Sequence, residues 1–68
     1  MTKYYLTVQI RNQDGMLEEK YYGFGVRGLS NNFYDAKTYN LFTFILDDLQ
    51  LIQSELNPEQ ISIHTKTY

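Results

Sequence analysis

The chain has no cysteine, a single histidine and a single proline among its 68 residues. Without cysteine there is no disulfide and no thiolate zinc site, and one imidazole cannot build a histidine metal cluster. A chain this short buries only about 60% of its unfolded surface, so its core is marginal without staples. Good packing or association must supply what disulfides and metals do not. No apolar run exceeds that of Phe44-Ile45-Leu46, far short of a membrane span. The N-terminus, MTKYYLTVQIRNQDG, alternates polar and apolar residues and lacks the continuous apolar stretch of a signal peptide. A soluble protein of the cytoplasm is therefore expected.

Aromatic residues are abundant: seven Tyr and four Phe make 16% of the chain. They supply the large apolar area a small core needs, and tyrosine also works half-exposed at interfaces. The net charge is −2, which argues against a generic polyanion binder. That charge is uneven, with net +1 over residues 1–40 and net −3 over residues 41–68.

Tyr4, Leu6, Val8 and Ile10 alternate with Lys3, Tyr5, Thr7, Gln9 and Arg11, the period of a strand buried on one face. Asn12-Gln13-Asp14-Gly15 supplies turn chemistry. A second strand is expected from about Met16 to Val26, with Tyr22, Phe24 and Val26 on one face and a bulge near Glu18–Lys20 to reconcile Leu17. Gly28–Asn32 reads as a loop, with Asn32 capping a helix and Asp35 in its first turn. Tyr34, Thr38, Leu41, Phe42, Ile45, Leu49, Ile52 and Leu56 fall on one stripe at helical spacing, and Asn57-Pro58 ends it. Thr38–Ile45 is rich in β-formers and reads locally as strand, but the continuous stripe favours helix. Ile61, Ile63 and Thr65 alternate into a third strand. The whole predicts one domain over residues 1–68, an α+β, ββαβ two-layer sandwich with a three-stranded antiparallel sheet of order 2-1-3 on one helix.

Catalysis finds little support. Gly23-Phe24-Gly25-Val26-Arg27-Gly28 spells a dinucleotide-binding motif, but that motif needs a strand, an immediate helix and a parallel βαβ unit. Glycine inside a strand more often marks a bend or the close approach of another backbone. Asp47 and Asp48 are adjacent and point about 100° apart on a helix, so they share neither a proton nor a metal. No serine has the context of an activated nucleophile. No enzyme, cofactor or metal is expected.

Two surfaces remain. The sheet face away from the helix should display Lys3, Tyr5, Thr7, Gln9, Arg11, Tyr21, Gly23, Gly25, Arg27, His64 and Lys66. Rings interleaved with cations on an open sheet are what single-stranded nucleic-acid platforms use, with Tyr5, Arg11, Tyr21, Arg27, His64 and Lys66 as contacts. A solvated face, or a dimer seam with Tyr5 and Tyr21 packed on a twin, accounts for the same residues and fits the acidic total better. The second surface is the helix. Phe44 and Leu51 lie off the core stripe, Leu46 and Tyr39 flank it on the other side, and Asp47, Asp48, Glu55 and Glu59 form an acidic rim. Spare apolar area beside acids fits a partner-binding module.

Leu6–Ile10, Asp14-Gly15, Tyr21-Tyr22, Gly28-Leu29-Ser30 and Phe33-Tyr34-Asp35 together resemble the short phage-encoded inhibitors of uracil-DNA glycosylase. Those are acidic dimers of a small sheet plus a helix that mimic DNA and insert a phenylalanine into the enzyme. The resemblance implies Phe33 as the inserting ring and Asp35 as a mimicking acid. The expectation is a small phage- or mobile-element-type homodimer that binds and inhibits a bacterial host protein. The expected target is a nucleic-acid enzyme such as uracil-DNA glycosylase or a CRISPR nuclease. Contacts would come from Phe33, Asp35, Phe44, Asp47, Asp48, Leu51 and Glu55. The alternative is the single-stranded nucleic-acid module, and a purely structural subunit is a third possibility.

Overall fold

Strand alternation at the N-terminus carries through to the fold. The computed structural model describes residues 1–68. β1 runs Thr2–Arg11, β2 Leu17–Val26, β3 Leu29–Ser30 and β4 Gln60–Thr67, with a 3₁₀ turn at Phe33–Asp35 and one helix, α1, at Thr43–Glu55. The class is α+β, as expected. The sheet is antiparallel with order β3-β2-β1-β4, which departs from the three-strand order expected. The added strand comes from Leu29-Ser30, expected as loop. Arg27 (φ 57) and Gly28 (φ 77) reverse the chain tightly, and Leu29 pairs back onto Tyr22 and Val26.

The β1–β2 hairpin closes as the sequence predicts. The Asn12 side chain accepts from the Asp14 and Met16 amides, and Gly15 takes φ 79. The expected bulge near Glu18–Lys20 is absent. Register is unbroken from Thr7↔Tyr21 to Arg11↔Leu17, and the irregularity lies instead between Tyr22 and Val26 against β3. Leu17 needs no bulge because it is simply solvent-exposed at the hairpin end.

Beyond Thr7 and Tyr21 the two central strands part. The extended segment 36–39 enters the gap: Ala36 bridges Gly23, the Lys37 amide donates to the Tyr22 carbonyl, and Tyr4 and Tyr39 exchange both backbone bonds at 2.9 Å. The result is a curled sheet with a fifth, wedged segment. This overturns the helix expected from Asn32 onward. Asn32 does cap, but it caps the short 3₁₀ turn, accepting from the Tyr34 amide. Tyr34, Thr38 and Leu41, expected on the buried stripe, are exposed, and Phe42 is half-exposed with its edge on Tyr4. Backbone bonds offered by splayed strands outweighed a helical pattern made of poor helix formers.

From Thr43 the helix behaves as predicted. Ile45 and Ile52 are fully buried on Leu6, Val8 and Tyr39, with Leu49, Leu56, Tyr4, Tyr22, Leu29 and Ile61 packed around them. Tyr39, expected at the flank of the helix, is a core residue because its backbone is pinned to Tyr4 under the helix. Phe24 and Val26, expected on the inner face with Tyr22, stand in solvent, beyond the break in register that follows Tyr22.

Gly23 and Gly25 are the strand glycines whose role the topology explains. A Cβ on Gly23 would collide with the backbone of Asp35, Ala36 and Lys37, and one on Gly25 with that of Leu29. Close backbone approach accounts for Gly23 and Gly25, and positive φ for Gly28. Gly23→Ala is expected to lower stability by about 1–3 kcal/mol through forced displacement of the wedge. Gly15→Ala meets no atom and acts only through its positive φ, so it is expected to cost less. Chemical denaturation of the two variants against the parent checks the ranking.

Candidate functional site

The outer side of α1 carries a single stripe. Phe44, Asp47, Leu51 and Glu55 follow at helical spacing, so all four share one face. Phe44 is 56% and Leu51 45% exposed, two large apolar side chains half in solvent, and Leu51 borders a groove with Tyr22, Arg27 and Gly28. Asp47 and Glu55 are exposed and make no ion pair. A shallow groove of about 360 Å³ runs beside Phe44, lined also by Lys37, Thr38, Asn40, Asp47 and Asp48.

Asp48, expected in the same acidic surface, has a different task. It accepts the Tyr39 hydroxyl through a short hydrogen bond and pairs with the Lys37 ammonium at 2.8 Å. One carboxylate thereby fastens the wedge to the helix. Burial alone would raise its pKa, but the hydrogen bonds from Lys37 and Tyr39 and the lysine charge outweigh burial and hold it below the ordinary value. Tyr39 moves far upward, through burial first and then the hydrogen bond to Asp48 and its charge. Tyr22 is raised mainly by burial, with Asp48 adding to it. Sequence reasoning passed over Lys37 because pairing it with Asp48 requires segment 36–39 to lie beside the helix rather than inside it.

The opposite sheet face is not open. Phe33 folds back from the 3₁₀ turn onto Tyr5 and Tyr21, edge-on at 4.9 and 5.5 Å between centroids. The His64 ring stacks on Tyr5 at 4.9 Å and bonds the Thr7 hydroxyl at 2.8 Å, which leaves Thr7 only 4% exposed. The Lys66 ammonium stands 4.1 Å above the Phe33 ring. Tyr5, Tyr21, His64 and Lys66, proposed from the sequence, thus come together, and Phe33 joins them instead of projecting as a free inserting ring. Asp35 accepts the Ser30 hydroxyl and is half-buried beside this cluster. Arg11 lies at the far hairpin end, paired with Glu59 at 3.1 Å and donating to the Gly15 carbonyl. Arg27 sits exposed in the β2–β3 turn. Neither arginine reaches the rings. Lys3 pairs directly across from Lys66 in the β1–β4 ladder, and both stand over the ring of Tyr68.

The contact residues expected from the sequence therefore divide. Phe44, Asp47, Leu51 and Glu55 form one surface on the helix, Asp48 is structural, and Phe33 and Asp35 belong to the other face. No group of three or more His, Cys, Asp or Glu side chains is placed to hold a metal ion, and no helix is long and apolar enough to cross a membrane. No protein-family model, curated protein or solved structure matches the chain.

Removing the Asp48 carboxylate strands the buried Tyr39 hydroxyl. Asp48→Ala is expected to destabilise by about 1–3 kcal/mol, and more than Tyr39→Phe, which removes the hydroxyl together with its need for a partner. Because the folded-state pKa of Asp48 is lowered, its contribution is complete above the ordinary value near 3.8 and fades as pH falls below it. For Tyr39 the folded-state pKa is raised, so its contribution is complete below the ordinary value of 10 and fades as pH rises beyond it. Thermal melts across pH should show both limbs in the parent, the acid limb flattened in Asp48→Asn and the alkaline limb flattened in Tyr39→Phe.

Proposed function

We propose that this chain is a non-enzymatic protein-binding module that docks through the outer face of α1 and inhibits a bacterial host protein, in the manner of small phage anti-host proteins. The observation that carries this reading is the stripe on α1: two large apolar side chains half in solvent, with Asp47 and Glu55 alongside. Exposed aromatic and aliphatic anchors rimmed by charge are the usual make-up of an interface centre. Unpaired carboxylates beside them favour a partner with a cationic site, so a nucleic-acid enzyme such as uracil-DNA glycosylase or a CRISPR nuclease is the expected target class. Here the acids stand where phosphates would lie. Phe44, rather than Phe33, is the ring free to enter a partner's pocket. Asp48 contributes by holding the helix in place.

A second reading rests on the cations of the other face. Lys3 and Lys66 oppose one another across adjacent strands with no carboxylate partner, and Lys66 borders a pocket with Tyr34, which is 93% exposed. Like charges directly opposite are destabilising, so a single-stranded nucleic-acid phosphate would relieve a cost already present.

The expected outcome in bacterial lysate is one stoichiometric partner that survives nuclease. Phe44→Ala should weaken its binding by about 2 kcal/mol, roughly thirtyfold, and Asp47→Lys should slow association at low salt. Unchanged affinity in both variants removes the helix face. Fluorescence titration with single-stranded DNA and RNA at low salt checks the second reading, with Lys3→Glu and Lys66→Glu as the affected variants. No binding by the parent at low salt ends it.

A further inference from the structure

β4 closes one side of the sheet along its whole length and pairs only with β1. Antiparallel ladders alternate residues that exchange backbone bonds with residues that turn them outward. Tyr4 gives both of its bonds to Tyr39, so Thr65, its opposite number on β4, receives none from β1. The same parity holds for Ile61, Ile63 and Thr67, opposite Val8, Leu6 and Thr2. The Tyr68 amide, of the other parity, donates to the Met1 carbonyl as this pattern requires. Ile61, Ile63, Thr65 and Thr67 therefore present a row of free N–H and C=O groups.

Sheet edges are ordinarily blunted by proline, a bulge, shortness or charge. β4 has no proline and no carboxylate, and its register against β1 is unbroken from Gln60 to Thr67. Its one lysine, Lys66, is drawn over the Phe33 ring and away from the edge. The opposite edge, β3, is two residues long and runs directly toward the 3₁₀ turn. The long edge alone is left ready to pair.

We propose that two copies of this chain associate antiparallel through β4, with the two-fold axis at His64, to form one continuous sheet. The outward-turned residues are symmetric about His64, so this register engages every one of them. Ile61 lies opposite the partner's Thr67 and Ile63 opposite the partner's Thr65, each pair exchanging two backbone bonds. On the aromatic face Lys66 lies opposite the partner's Ser62, and His64 opposite the partner's His64. No lysine meets a lysine and no acid enters the seam, so the charge pattern permits the chain to pair with itself. Ile63, 40% exposed in the single chain, gains a cross-strand neighbour. The seam lies on the sheet edge, and the outer stripe of α1 stays available to another protein.

Sedimentation equilibrium on the purified chain is expected to give twice 8.1 kDa. Thr65→Pro removes an amide the single fold does not use and is expected to be monomeric with unchanged circular dichroism. Because the chain has no cysteine, one introduced thiol reports the register. His64→Cys should cross-link to its copy on mild oxidation, since facing residues at a two-fold non-hydrogen-bonded site bring Cβ atoms within disulfide reach. Gln60→Cys should not, because this register separates it from its copy by about 27 Å. A monomeric parent, a dimeric Thr65→Pro chain, or equal cross-linking of the two thiols would overturn the proposal. Should Thr65→Pro fail to fold, the contrast between the two thiols decides alone.

Discussion

The wedge, the late start of the helix and the glycine at position 23 all follow from the parting of β1 and β2 beyond Thr7 and Tyr21. Where two strands splay, the backbone groups of each lose their partners, and a buried N–H or C=O without a partner is costly. Segment 36–39 answers that need, bonding Tyr4 on one side and Tyr22 on the other. The chain over these residues cannot then be helical, so α1 begins only at Thr43. Gly23 follows from the same constraint, since the wedge passes where a side chain would stand. Asp48 completes the arrangement by gripping Lys37 and Tyr39 from the helix.

The wedge also settles what the surfaces offer. It turns the chain so that Phe33 lies back across the sheet face, where it covers Tyr5 and Tyr21 and seals Thr7 beneath His64. A face that alternation leaves open becomes a packed cluster of rings with lysines above it. On the other side the curled sheet takes only one side of α1. Ile45 and Ile52 enter the core, while Phe44 and Leu51 remain outside it. A core this small cannot absorb every apolar residue the helix carries: Phe44 and Leu51 fall on one stripe beside free carboxylates, and Leu46 is half-exposed on the other flank.

Local patterns were readable wherever one physical cause acted alone. The alternation of Tyr4, Leu6, Val8 and Ile10, the Asn12–Gly15 turn and the Ile45-Leu49-Ile52-Leu56 stripe all stand in the structure as the sequence implies. From Tyr34 to Phe42 helical spacing and β-forming composition coincide, so the local pattern does not decide the structure there. The outcome depended on partners far away in sequence. Phe33 lies away from its expected position, and the role of Lys37 is not legible locally, for the same reason: each owes its position to a non-local contact.

From the sequence alone come the absence of disulfides and thiolate metal sites, the α+β class, the first hairpin, the C-terminal half of the helix and the placing of Gly23 and Gly25 inside a strand. These rest on composition and on patterns repeated within a few residues. The wedge, the extra strand at Leu29-Ser30, the structural role of Asp48, the covered ring cluster and the free edge of β4 came only from the tertiary structure. Each depends on which backbone groups remain unpaired once the strands meet, and that is a property of the assembled sheet rather than of any local stretch of chain.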